Sequence, residues 1–272
     1  MILDCSYRLP GPLASHLLQN DGYEVLKIEL SEKRDPFFMS RHNGVRSWYQ
    51  RFNKGKPIKV FTEDDFKQFL EKYHKSIQGI IIDVRSPFLE VLKDYSLLNI
   101  VLSSSSDKIS RPMHDLDILV RSGYFTDFET PIPEIPAAGI LFANQIYSRF
   151  YKAKSEGENG RVDICLDQVT SILNLITLPK EDRFYRGVMV GYNKYKLKDG
   201  VLYLTAIEEK SFIEFISFIG LEERNKYDPT LPDSGSLGKL MRKSLDKMYV
   251  KDFSTYPKNR VCFSISETHH TE

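Results

Sequence analysis

Hydrophobic positions fall into two textures along the chain. Over about the first 125 residues, short apolar runs alternate with segments of helical spacing. Ile2–Cys5 reads as a strand, Arg8-Leu9-Pro10-Gly11-Pro12 as a tight turn, and residues 13–22 as a helix closed by Gly22. Residues 23–29 then alternate polar and apolar positions, as a second strand does. After a polar, aromatic-rich loop over residues 31–52 comes a strand at 57–61. Residues 63–75 follow, with Phe66, Phe69, Leu70 and Tyr73 at helical spacing and Thr62 placed to cap them. Residues 79–84 form a continuous apolar run, the type found in a parallel sheet covered on both faces, and two more helix–strand alternations lead to Leu102.

From Pro131 the texture changes. Residues 137–154 carry a long helical pattern, 157–160 a polar turn, and 161–176 a strand-like start running into a helix. Residues 192–206 alternate about Lys198-Asp199-Gly200, the signal of a β-hairpin with an Asp-Gly turn. The pattern predicts an α/β fold: a doubly wound, Rossmann-like parallel sheet in a large domain over residues 1–184, a small α+β domain over 185–260, and a polar tail over 261–272. A βαβ opening places a ligand at the carboxyl ends of the strands, near residues 6–12.

Composition narrows the function classes. Lys plus Arg number 38 against 37 Asp plus Glu, so no net field draws the protein to nucleic acid or an anionic membrane. No apolar run reaches the roughly 20 residues that span a bilayer, and the start has no signal-peptide pattern, so a cytoplasmic location is expected. The cysteines, Cys5, Cys165 and Cys262, are far apart and without a C-x-x-C pair, so they read as reduced thiols rather than metal ligands.

Six segments, in order from residue 2 to 221, resemble the class III CoA-transferases, and in particular their α-methylacyl-CoA racemase branch. The strand, Arg8-Leu9-Pro10-Gly11-Pro12, helix and Gly22-Tyr23-Glu24-Val25-Leu26-Lys27-Ile28-Glu29 look like the family's opening. Asn53-Lys54-Gly55-Lys56 is similar to its Asn-Arg-Gly-Lys, and Arg85 to Leu92 to its Arg-Pro-Gly-Val-Leu-Glu-Arg-Leu. His114-Asp115 with Ser122-Gly123 resembles the racemases' His-Asp and Ser-Gly, and residues 157–163 with Asp167 resemble a Gly-x-Gly-x-x-Val-Asp segment. Asp199-Gly200, Ala206-Ile207-Glu208, Phe212 and Gly220-Leu221 complete the series.

The resemblance implies an acyl-CoA substrate, with coenzyme A entering as part of that substrate and no permanently bound cofactor or metal. Phosphate or ribose contact is implied for Arg8, Lys54, Lys56 and Arg85; read from residue type alone, these are ordinary solvated charges. Racemisation beside a thioester needs one group to remove the α-proton and another to return it from the opposite face. The implied pair is His114, partnered by Glu208, and Glu134, where the family has an Asp. By residue type, His114 is equally a loop histidine bonded to Asp115 or Asp117, and Glu134 a solvated carboxylate between two prolines. CoA transfer through Glu134 as a carboxylate nucleophile, or a catalytically silent relative that binds CoA esters or a protein partner, are the alternatives. Two glycine-rich stretches of the family are replaced by Ser103-Ser104-Ser105-Ser106 and Ile135-Pro136-Ala137-Ala138-Gly139, which implies a reshaped site. The resemblance also implies a possible homodimer; family members interlock two subunits through a segment beyond the equivalent of Phe263, where this sequence carries a polar tail, which puts the interlocking in doubt.

Overall fold

The computed structural model describes residues 1–104, 114–122, 136–176, 189–221, 228–257 and 263–267. It divides into two units, Met1–Thr177 and Leu178–Glu272. The first unit holds a six-stranded sheet of β1 (Ile2–Cys5), β2 (Val25–Leu30), β3 (Ile58–Phe61), β4 (Gly79–Asp83), β5 (Leu98–Ser103) and β6 (Gly160–Cys165). All neighbours pair in parallel in the order β3-β2-β1-β4-β5-β6. The chain reverses its direction of winding between β1 and β4, and that is where an open parallel sheet leaves a crevice at its carboxyl ends.

Period-two geometry explains why apolar strands build two cores. Ile2, Ile81, Ile100 and Val162 point to one face, which is covered by Ala14 and Leu18 of α1 (Pro10–Asn20) and by Phe142, Ile146 and Phe150 of α6 (Ala137–Ser155). Leu3, Ile80, Ile82 and Val101 point to the other, against Phe66, Phe69 and Leu70 of α3 (Glu63–Tyr73) and Phe88 of α4 (Phe88–Val91). α3 starts as the sequence predicts: the Thr62 hydroxyl accepts from the Asp65 N–H at 3.1 Å, and the Asp65 carboxylate accepts from the Thr62 N–H at 2.9 Å. Cys5 and Cys165 are buried free thiols; Cys262 lies outside the described residues.

The structure departs from the pattern in four places. Between β4 and β5 there is one short crossover, α4 and a 3-10 turn at Leu92–Asp94, rather than two helix–strand alternations, because the strands are only 14 residues apart (Val84 to Leu97). The sheet does not end near residue 125: the strand-like start read at 161 is β6, which pairs in parallel with β5 and, with Arg161 and Asp163 on its polar face, forms the sheet's edge. β2 is buried along its whole length, although Lys27 and Glu29 occupy what read as its outward positions. Residues 263–267, expected in a polar tail, form β9 (Phe263–Glu267), because Phe263 and Ile265 alternate and pack on the core of the second unit.

That second unit contains an antiparallel sheet in the order β7-β8-β9, with β7 (Tyr192–Lys196) and β8 (Gly200–Thr205) forming the hairpin read from the sequence. Helices α8 (Glu209–Phe218) and α9 (Ser236–Leu245) bury Phe212, Phe215, Leu237 and Met241 against it. The remaining helices of the first unit are α2 (Asn43–Phe52), α5 (Asp115–Arg121) and α7 (Gln168–Ile176). No helix among the described residues is long and apolar enough to cross a membrane.

Candidate functional site

At the carboxyl edge of the sheet the first unit encloses a cavity of about 600 Å³, within the range that takes a cofactor-sized ligand. Each wall follows a strand. Tyr7, Arg8 and Leu9 come from the turn after β1, Lys33, Pro36 and Phe37 from the loop after β2, and Asp83 to Pro87 from the end of β4. Ser103 and Ser104 close β5, and Leu166 follows β6. His114 and Asp115 enter at the start of α5, and Gly139 and Phe142 from α6. Trp48 of α2 completes an aromatic side, its ring 6.0 Å from that of Phe37.

The turn after β1 is held by an ionic network beneath it. Asp4 is fully buried, with the Lys27 ammonium at 3.4 Å and the Lys56 ammonium at 3.3 Å. The Ser6 and Ser15 hydroxyls donate to it at 2.6 and 2.5 Å. Burial opposes its charge, but the two ammonium groups and two hydroxyls overcome that and hold Asp4 below the usual carboxylate range. Lys56 also donates to the Pro12 carbonyl at 2.8 Å and to Ser15 at 2.7 Å; burial brings its ammonium down to about 8, against the pull of Asp4. Gly11 is required here: a Cβ would lie 1.9 Å from the Ser6 Oγ.

Above this network Arg8 adopts a left-handed conformation, φ 66°. A non-glycine residue there carries strain, and the surroundings enforce it: both Asp35 oxygens accept from the Arg8 N–H, at 3.2 and 3.1 Å, and one accepts from the Phe37 N–H at 2.8 Å. The result is an exposed guanidinium on the cavity wall.

Of the residues singled out from the sequence, Arg8, Arg85 and His114 line this one cavity, and all three are exposed. The His114 N–H donates to the Asp117 carboxylate at 2.8 Å, which starts α5 and sets the imidazole at its head. Lys56 does not line the cavity; its ammonium is buried in the ionic network, a different position from the solvent-facing phosphate contact expected of it. Lys54, two residues earlier, is exposed and also outside the lining. Glu208 belongs to the second unit, exposed and preceding α8. Glu134 lies outside the described residues.

Sequence reasoning passed over two acidic residues of the site. Asp83 ends β4, lines the cavity, and accepts from the Tyr7 N–H at 2.9 Å. Burial pushes its carboxyl up to about 7, with Lys27 and the Tyr7 N–H opposing and Asp4 and Asp35 reinforcing. Asp35, fully buried, is pushed up to about 6 by burial against the pull of Lys27 and its N–H donors. The signal for Asp83 was present, since a carboxylate closes an otherwise apolar strand at a sheet's carboxyl edge.

No family model matches the sequence, and no curated protein matches it. Solved structures do. The hypothetical protein Rv3272 of Mycobacterium tuberculosis aligns with 98% of this chain and 83% of its own at 16% identity, with a TM-score of 0.68. A CaiB/BaiF family protein of Brucella suis aligns with 93% of this chain and 79% of its own, also at 16% identity and a TM-score of 0.68. At such identity the likeness is one of fold, so this chain shares the fold of Rv3272 and of a CaiB/BaiF family protein over nearly its whole length.

Proposed function

We propose that the protein binds an acyl-CoA in the cavity of its first unit and exchanges the α-proton of a 2-methylacyl thioester. The observation that carries the reading is the convergence of Arg8, Arg85 and His114 on one cavity at the sheet's point of reversal. Two guanidinium groups beside a crevice suit the phosphates of coenzyme A. An imidazole at the same cavity suits removal of a proton made acidic by the neighbouring thioester carbonyl. The family resemblance of the sequence and the fold shared with a CaiB/BaiF family protein support the same substrate class.

In this reading His114 takes the α-proton, the C–H pair becomes the C=C bond of an enolate, and the carbonyl π pair moves to oxygen. A carboxylate on the opposite face, the role proposed for Glu134, returns a proton. The test is incorporation of deuterium from D₂O into 2-methylbutanoyl-CoA with no second substrate. His114→Gln should lower exchange by a factor of 10² or more, on the order of a lost general base, with little change in binding. Arg85→Ala should weaken binding instead. Binding without exchange in the wild type would make the protein a silent acyl-CoA binder; acceptor-dependent thioester formation with a CoA adduct on Glu134 would make it a transferase.

A further inference from the structure

Four carboxyl groups cluster under the cavity, Asp4, Glu29, Asp35 and Asp83, against three cations, Lys27, Lys56 and Arg34. Asp4 has two ammonium groups. Glu29 has the Arg34 guanidinium and the Tyr49 hydroxyl, the latter at 2.5 Å. The remaining carboxyls, Asp35 and Asp83, share what is left of the Lys27 field, and burial disfavours the charge of both. Hydrogen bonding separates the two. Asp35 accepts from two backbone N–H groups, Arg8 with both oxygens and Phe37, which favours its anion. Asp83 accepts from one, Tyr7, and its other oxygen has no hydrogen-bond partner among the described residues.

Asp83 is also the member of the cluster that lines the cavity. We infer that Asp83 is a neutral carboxylic acid whose O–H donates to the acyl carbonyl oxygen of the ligand and holds the negative charge that oxygen gains on α-proton removal. The inference rests on the acyl-CoA reading of the cavity. During the step His114 gains the α-proton, the electron pair ends on the carbonyl oxygen, and Asp83 keeps its own proton while its hydrogen bond strengthens. A carboxylic acid kept neutral by a poorly solvated site is a strong donor of this kind, worth more to the enolate than to the ground-state thioester. Ionised Asp83 would present an oxygen anion to the same carbonyl and repel it.

The groups that face Asp83 set its behaviour with pH: Lys27 from β2, Asp4 and Cys5 from β1, Tyr7 from the turn after β1, and Asp35 from the loop after β2. Arg8, Lys33, Arg85, His114 and Asp115 lie on the cavity's other walls. Loss of the Asp83 proton therefore falls near neutrality.

The experiment compares wild type with Asp83→Asn, whose amide donates at every pH, and with Asp83→Leu, which cannot donate. Acetyl-CoA affinity is measured by calorimetry from about pH 6 to about pH 9, where one obligatory proton lost gives a tenfold fall per pH unit. The wild type should lose affinity with that added slope above its transition, Asp83→Asn should not, and Asp83→Leu should bind more weakly throughout. Parallel wild-type and Asp83→Asn profiles would overturn the role of Asp83 while leaving acyl-CoA binding in place. Absence of acetyl-CoA binding by wild type at the lowest pH would instead overturn the acyl-CoA reading, and the role of Asp83 with it.

Melting curves without ligand check that the variants fold and read the proton directly. A folded-state carboxyl titrating above its unfolded value stabilises the fold less as pH rises from the unfolded toward the folded pKa. The Tm of Asp83→Asn should therefore gain on that of wild type between about pH 4 and about pH 8, and a constant difference would overturn the neutral acid.

Discussion

Lys56→Met keeps the length of the side chain and removes its charge, and so separates two roles for that residue. In the structure the ammonium lies within 3.4 Å of four oxygens, on Asp4, Ser15, Asn53 and Pro12, with the side chain wholly buried. Methionine leaves Asp4 with Lys27 as its remaining ammonium, beside the Ser6 and Ser15 hydroxyls, and strips a donor from the Pro12 carbonyl. Removing one partner of a buried ion pair costs about 3–5 kcal/mol, since the other charge stays behind without full compensation. That is a large fraction of the stability of a typical domain. The assay is urea denaturation of wild type, Lys56→Met, Asp4→Asn and the double variant, with acetyl-CoA affinity measured on whatever remains folded. The two single losses should exceed the double-variant loss by at least about 1 kcal/mol, the signature of groups in direct contact. Affinity per folded molecule should change little. A Lys56→Met protein within about 0.5 kcal/mol of wild type, the range of an inert surface change, but with acetyl-CoA affinity lowered tenfold or more, would refute the structural role and return Lys56 to the ligand.

Arg8→Gly should relieve about 1 kcal/mol of left-handed strain and raise Tm slightly while weakening acetyl-CoA binding; a lowered Tm would contradict the strain. Gly11→Ala should drive a methyl group into Ser6 and cost on the order of 1–3 kcal/mol by thermal denaturation, and an unchanged Tm would show that the turn can move. Phe150→Ala should cost about 3–5 kcal/mol, because the ring is fully buried against Tyr23 and the backbone of Gly79; a loss below about 1 kcal/mol would mean the site collapses without a cavity.

The two-sided parallel sheet of the large unit was legible because an apolar run such as Ile80-Ile81-Ile82 fits a strand between two helical layers. The Thr62 cap and the Asp199-Gly200 turn were legible for local reasons, since each motif is satisfied within a few residues. The burial of Lys56, read as a solvated charge or a phosphate contact, and of Lys27 could not be seen locally because what buries them is distant in sequence: their common partner Asp4 lies 52 and 23 positions away. Half-polar strands were harder for a different reason. β9 shows one apolar face, so a stretch this short reads as a polar tail until its neighbour is known, and β6, though read as strand-like, could not be assigned to the parallel sheet without its partner β5. The cavity followed the same division. The Arg8 and Arg85 loops and His114 could be placed from the order of elements, whereas the proton balance around Asp83 depends on groups gathered from three strands and two loops.

The ionic network also acts as a check on assembly. Asp4 and Lys27 are partners in the β1–β2 register. A slip of one residue would turn Lys27 through the sheet into the apolar layer of Leu3, Ile28 and Ile80, and leave Asp4 beside Leu26 or Ile28. The misaligned sheet would enclose unmatched charges, so it is penalised far more heavily than a slip between two purely aliphatic strands. Lys56, immediately before β3, completes the match only when the third segment of the chain has arrived. The register of β1 and β2 is thus reinforced from outside the pair, by a cation 52 residues beyond Asp4 in the chain.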